Sequence, residues 1–535
     1  MEQYLINGHF HQQERAFTGW VKLQDNRIAA MGTGEAEGIS PEAIVTDLKG
    51  AHVYPGMVDT HLHILSKAIT ERGLVLDQVR SRDIMLQMIR DRAAKTPKGE
   101  KISARGFNED LWEDRRLPTL AELDEAAGDH PLTLTRVCGH MMMVNRAAMQ
   151  ANGIDAATPV PAGSRLDLEN GIVTENAIPL FTENTPDRGV AACKEALLEG
   201  LNSAADAGLT GLYSDDFCTD GFGIETVIRA YQELAAEDRM PVRVVQQCML
   251  TTNDILNTFL QNGHHWNEGN DLYRIGPRKL YADGSLGART AFLRRPYADQ
   301  PDTHGSEVAT QDEMNALLAA GHRAGMPTVV HCIGDGAVQR VLDAIRFARE
   351  TVPGTDEIPD GLVHCQITDA AQLRQIREMK VQVLAQPVFT EYDLHICRDR
   401  VGAEMEKTSY NWRTLYEDGV LITSGSDCPI ESLEPVKNIY CAVTRKDYDH
   451  YPPEGWMPEQ RLTPRQAIDC HTAKAAQAAG YADRLGQIRE GYLADFSIFD
   501  KSFEDVDPDD ILSIRPVMTV MNGRVRVCDQ KGECK

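Results

Sequence analysis

No stretch of this 535-residue chain is apolar and uncharged for long enough to span a bilayer, which argues against a membrane-embedded protein. The opening residues, Met1-Glu2-Gln3-Tyr4-Leu5-Ile6-Asn7-Gly8, lack both a basic segment and an apolar run, so no signal peptide is expected. Positive charge is short: 55 Lys and Arg stand against 80 Asp and Glu, a net charge of -25. That balance disfavours nucleic acid or an anionic membrane surface as the main partner. The 12 cysteines form no Cys-x-x-Cys framework, which suits a reducing cytoplasm better than a disulfide scaffold. No Gly-x-Gly-x-x-Gly follows an expected strand, so an open doubly wound sheet has little support. Internal repeats and low-complexity tracts are also missing.

What is present is ordinary for a soluble globular protein, with 42% hydrophobic and 25% charged residues. The two ends share one texture. Residues 1–54 read as short strands with turns, and the C-terminal end offers Ala494-Asp495-Phe496-Ser497-Ile498-Phe499 and then residues 516–525. Asn522-Gly523 between apolar runs is a hairpin signal. Neither end has enough apolar area to stand alone, so residues 1–54 and 486–535 are expected to pack as one small β-domain. Between them, in residues 55–485, short apolar runs alternate with helical stretches. Strands are expected over residues 52–63, 209–214, 242–250, 278–283, 328–333, 362–366, 381–386 and 420–426. Helices are expected over 311–324, 336–351 and 369–379. Eight βα units predict a closed barrel whose reactive side chains collect at strand C-termini. The stretch from about 76 to 202 is too long for one unit. It reads as an insertion over the barrel mouth, with two helical patterns, a Trp-bearing segment and a turn-rich stretch.

The chemistry gathers around Pro55-Gly56-Met57-Val58-Asp59-Thr60-His61-Leu62-His63. On a strand, residues i and i+2 share a face, so His61 and His63 project together, and neutral imidazole is a standard metal ligand. Four more metal-type residues sit at or just after the ends of other expected strands: Lys279, His331, His364 and Asp427. Singly, each has an ordinary structural explanation; after four different strands of one barrel, they point together to a metal centre. Cys332, Cys365 and Cys428 are immediate neighbours of these residues, so they face away and read as core thiols.

The motifs resemble the amidohydrolase superfamily, specifically the YtcJ-like branch that includes N-substituted formamide deformylase. The matching stretches are residues 55–63, Lys279-Leu280-Tyr281-Ala282-Asp283-Gly284-Ser285-Leu286-Gly287, His331-Cys332-Ile333-Gly334-Asp335 and Gly425-Ser426-Asp427-Cys428-Pro429. Leu462-Thr463-Pro464-Arg465-Gln466-Ala467-Ile468 and Gly491-Tyr492-Leu493-Ala494-Asp495 match as well, and the similarity runs through essentially the whole chain.

The resemblance implies an α/β fold: a (β/α)8 TIM barrel carrying a small β-sandwich domain formed by both termini. It implies that His61, His63, Lys279, His331, His364 and Asp427 surround one or two divalent metal ions, zinc foremost. Lys279 would carry a CO2-derived carbamate, because an ammonium cannot ligate a cation whereas a carbamate can bridge two. The reaction implied is hydrolysis of a non-peptide C–N bond, an N-substituted amide or formamide, by metal-activated water with Asp427 as general base. A cyclic amidase, lactonase or deaminase on the same site, or a catalytically dead barrel scaffold, are the competing readings.

Residues 136–145 resemble the family stretch with a pocket histidine, which makes His140 a candidate catalytic and substrate contact. Cys138 stands where relatives more often carry an acidic residue. Met141-Met142-Met143 reads either as an apolar pocket wall or as core packing. Arg289 is a candidate for binding an anionic substrate group, with a salt bridge or loop anchor as the alternative. The expected partner is a small-molecule substrate, with neither nucleic acid nor membrane, and a homodimer is expected from the prevalence of such assemblies.

Overall fold

The computed structural model describes residues 2–13, 15–76, 79–161, 164–182, 187–219 and 221–527. The chain divides into two compact units. The first takes the N-terminal segment through Ile64, Leu198–Asp216 and everything from Tyr231 onward. The second comprises Leu65–Leu197 and Phe217–Ala230.

The first unit is built on eight parallel strands: β1 Met57–Leu62, β2 Leu209–Ser214, β3 Arg243–Met249, β4 Tyr273–Tyr281, β5 Thr328–Cys332, β6 Gly361–His364, β7 Gln382–Ala385 and β8 Ile422–Ser424. They pair in sequence order, and nearly every residue in them is buried, as expected of parallel strands covered on both faces. The outer strands β1 and β8 approach each other, so the barrel is nearly closed. Thr60 and Thr423 hydroxyls meet at 2.8 Å. Just past the strands, the Asp427 amide donates to the His61 carbonyl at 2.7 Å and the His63 amide to the Cys428 carbonyl at 2.8 Å. The expected helices form as Gln311–Arg323, Asp335–Thr351 and Ala370–Glu378. Two of them begin at capping boxes, Thr310 with Glu313 and Asp369 with Gln372, which satisfy amides that the first helical turn leaves unpaired.

The expected strand over 52–63 is in fact two. His52–Pro55 belongs to another sheet, and the chain changes direction at Gly56, where a Cβ would stand 2.2 Å from the Thr210 hydroxyl. β4 starts earlier than expected. Gly276 lets the strand pass close to the Gln246 carbonyl at a register shift against β3.

The ends of the chain share one sheet. Its strands run in the order Arg524–Val527, Pro516–Met521, Phe496–Phe499, His52–Pro55, Glu2–His11, Ala16–Gln24, Arg27–Thr33, with Ile44–Asp47 paired to Glu2–His11. Leu5, Phe10, Val21, Leu23, Val53, Phe496, Ile498 and Val520 form its core. The expected hairpin closes at Asn522 (φ 55°) and Gly523 (φ 75°), the left-handed pair that a type I′ turn requires. A buried ion pair joins this segment to the barrel: Arg243 of β3 donates to both Asp495 oxygens, at 2.6 and 2.9 Å.

The second unit holds a six-stranded mixed sheet, ordered Leu166–Asp167, Ile172–Thr174, Met141–Val144, Leu132–Arg136, Ile102–Phe107, Leu74–Val75. Two helical patterns were expected here without bounds; the helices of this unit include Arg82–Ala93 and Leu120–Ala127, and the sheet was not legible because its strands are short. Met142 and Met143 are buried in different apolar clusters, as opposite faces of one strand should be, which favours the packing role for this stretch. Among the described residues, no helix is long and apolar enough to cross a membrane.

Candidate metal centre

All six expected ligands lie in the first unit at C-terminal ends of barrel strands. His61 and His63 end β1, Lys279 lies in β4, His331 in β5, His364 closes β6, and Asp427 follows β8 by three residues. All are buried except His63, whose side chain is 15% exposed. Donor atoms of His61, His364 and Asp427 come within 4.8 Å of one another. Asp427 Oδ1 is 3.3 Å from His61 Nε2 and 3.1 Å from His63 Nε2. The His364 ring centre is 5.6 Å from that of His61 and 4.5 Å from that of His331. Lys279 Nζ sits 4.0 Å above the Tyr281 ring, itself 5.3 Å from His331.

These distances suit a bound cation. His63 Nδ1 faces the Asp215 carbonyl at 2.9 Å and must donate to it, so in a neutral ring Nε2 carries the lone pair aimed at the Asp427 carboxylate. Two lone pairs facing at 3.1 Å repel unless a proton or a metal ion lies between them. The spacing also matches the roughly 3.3 Å edge between two ligands of a tetrahedral zinc. His364 adds two buried ring nitrogens with no partner in hydrogen-bond geometry, a costly state unless a ligand claims one of them.

The protonation states agree. Burial, helped by the positive charge of Lys279, pushes His61 down to about 4. Burial pushes His364 down to about 3 against the attraction of Asp427, and drives His331 well below its usual range. Burial alone would raise Asp427, but the contacts from His61 and His63 prevail and hold it well below the carboxylate range. His61, His331 and His364 are thus held as neutral imidazoles and Asp427 as a carboxylate, the forms in which these residues ligate. Both His364 (φ 73°) and Asp427 (φ 58°) adopt the left-handed backbone region.

Supporting residues escaped the sequence reading. Gln247 Oε1 accepts from His61 Nδ1 at 2.6 Å, and the only sequence trace is the polar pair Gln246-Gln247 inside an apolar strand. Asp59 accepts from the Ser426 amide at 3.1 Å and so ties β1 to the β8 loop; burial pushes it up to about 7. Asp283 accepts from the Ile333, Gly334 and Phe292 amides at 2.8–3.0 Å, holding the loops after β4 and β5. Burial raises the Asp215 carboxyl to about 6, against the charges of Lys279 and His63.

The two remaining candidates are placed separately. His140 lies in the second unit, where Nδ1 pairs with Glu175 at 3.0 Å. Arg289, in the first unit, is held by both oxygens of Asp299 at 3.2 and 2.7 Å, a carboxylate shared with Arg400.

The amidohydrolase family model matches residues 45–527. The chain belongs to the amidohydrolase family. The putative amidohydrolase YtcJ of Bacillus subtilis (strain 168) is 31% identical over 519 residues, covering 94% of this chain and 95% of that protein. The N-substituted formamide deformylase of Arthrobacter pascens is 24% identical over 540 residues, covering 95% and 94%. An uncharacterized metal-dependent hydrolase from Pyrococcus furiosus superposes with a TM-score of 0.75 at 26% identity, covering 94% of this chain and all of that one. This amidohydrolase is accordingly a metal-dependent hydrolase acting on carbon–nitrogen bonds.

Proposed function

We propose that this amidohydrolase cleaves a small N-substituted amide or formamide at a centre formed by His61, His63, Lys279, His331, His364 and Asp427. The observation that carries the reading is the convergence of His61, His364 and Asp427 donor atoms within 4.8 Å at the strand ends. The deformylase relative supports the substrate class. Zinc is the metal most in keeping with three or more imidazoles and a carboxylate. A divalent ion bound there supplies Lewis acidity and a water that ionises near neutral pH.

The chain's own part is proton transfer and orientation. Asp427, held ionised between two imidazoles, takes a proton from the attacking water and passes it to the leaving nitrogen as the C–N bond breaks. Lys279 is fully buried beside His61, His331 and His364, and its positive charge lowers the pKa of all three. As an ammonium it would repel a metal ion; as a carbamate it would bind one. His140, fixed through Nδ1 by Glu175, is the proposed substrate contact, while the pairing of Arg289 with both oxygens of Asp299 favours the salt-bridge role over an anion contact.

The shared sheet of residues 2–55 and 496–527 supports a composite terminal β-domain. Eight of the ten described cysteines are buried, as core thiols are.

The test is metal content by mass spectrometry on protein expressed with bicarbonate, followed by a panel of N-substituted formamides and amides. Two equivalents and turnover on the panel support the reading with a carboxylated Lys279. One equivalent reduces Lys279 to an accessory role. None after reconstitution, and no turnover, would leave an inactive barrel scaffold.

A further inference from the structure

Gln247 lies in β3, on a different strand from every expected metal ligand, and is completely buried. Its amide touches two groups of β1. Nε2 is 3.1 Å from the Thr60 carbonyl, and Oε1 is 2.6 Å from His61 Nδ1. A peptide carbonyl can only accept, so the end of the amide facing Thr60 must be the NH2. The other end is then the oxygen, which also only accepts, and His61 Nδ1 must carry the proton. The assignment needs no observed hydrogen. The Thr60 backbone sets the amide, the amide sets the imidazole, and in the neutral ring His61 Nε2 is left as the lone pair, 3.3 Å from Asp427 Oδ1.

We propose that Gln247 is the positioning residue that fixes the tautomer and ring orientation of His61, so that Nε2 is presented to the metal. It is tied to β1 at the residue preceding His61, so strand register and ligand orientation are coupled. The inference rests on the metal-centre reading above. Packing alone gives no reason for an amide here, since a buried leucine or methionine would fill a similar volume without two polar contacts to satisfy.

The test is zinc affinity of the full-length, chelator-stripped protein, measured by competition with a chromogenic zinc chelator. Gln247→Leu and Gln247→Met remove the acceptor; Gln247→Glu keeps it, and in its protonated form can also donate to the Thr60 carbonyl. Positioning predicts that Leu and Met each lose about 10- to 100-fold in zinc affinity, the range typical of such outer partners, while Glu stays within about threefold of wild type. Thermal unfolding of the apoproteins confirms that each variant is folded before its affinity is counted. The reverse order, with Leu or Met retaining affinity and Glu losing it, shows a packing role and overturns the inference, as would equal affinity in all variants. A folded wild type that takes up no zinc overturns the metal-centre reading itself, an outcome separate from either of these.

Discussion

His63 Nε2 lies 3.1 Å from Asp427 Oδ1, although 364 positions separate the two residues in the chain. The contact exists because β1 and β8, the first and last strands of the barrel, come together, and the Asp427 and His63 amides both reach across that seam. Asp427 therefore joins barrel closure to chemistry. Replacing it by Asn keeps the size and removes the base. Turnover of a substrate found in the panel is expected to fall by about 10²- to 10⁴-fold with the fold retained, as read by steady-state kinetics beside thermal unfolding. Undiminished kcat would remove Asp427 from the mechanism.

The seam also depends on a missing side chain. A Cβ at Gly425 would stand 2.6 Å from the His61 amide nitrogen and 3.0 Å from Asp59 Oδ1. Gly425→Ala must displace β1 where it carries His61. A stability loss of about 1–3 kcal/mol is expected together with weaker zinc binding, read by denaturant unfolding and chelator competition. Wild-type values in both would show that the seam absorbs a methyl group without moving the ligand.

The ion pair between Arg243 and Asp495 is 5% and 4% exposed, with both carboxylate oxygens engaged. Arg243→Met leaves a buried carboxylate without its cation and should cost about 3–5 kcal/mol in urea unfolding. Changing both residues, Arg243→Met with Asp495→Leu, should recover much of that loss. If the single and double variants are equally unstable, the attachment of the terminal segment does not depend on this charge pair.

His471 provides a pH test away from the metal centre. It is 1% exposed, donates from Nδ1 to the Val58 carbonyl at 3.0 Å, and is lowered by burial from 6.5 to about 4. The folded state holds the neutral ring, so below pH 6.5 the unfolded chain binds a proton that the folded chain refuses. Stability from this group is whole above 6.5 and is lost as pH falls towards about 4, at roughly 1.4 kcal/mol per unit. His471→Met should flatten the dependence of unfolding free energy on pH across that window by up to roughly 3 kcal/mol. An unchanged slope would mean that His471 is protonated in the folded protein.

The eight strand positions were readable because buried parallel strands leave short apolar runs, and the helices because the longer stretches between those runs are a local pattern too. The hairpin at Asn522-Gly523 was readable for a similar reason, since the left-handed turn is a property of two residues. The short strands of residues 74–174 were not, because two to six residues carry too little pattern to separate from loop. Nor was the break at Gly56, which is set by the approach of Thr210 from a different strand.

By itself the sequence determined which residue types could ligate and that each stands at a strand end, since strand propensity and side-chain alternation act over a few residues. Only the tertiary structure decided that the carboxylate of Asp427 meets His61 and His63, that Gln247 sets the tautomer of His61, and that Asp495 is the counterion of Arg243. Those relations depend on how a nearly closed barrel brings distant strands together. That arrangement follows from burial and hydrogen bonding summed over the whole unit, which no local stretch of residues encodes.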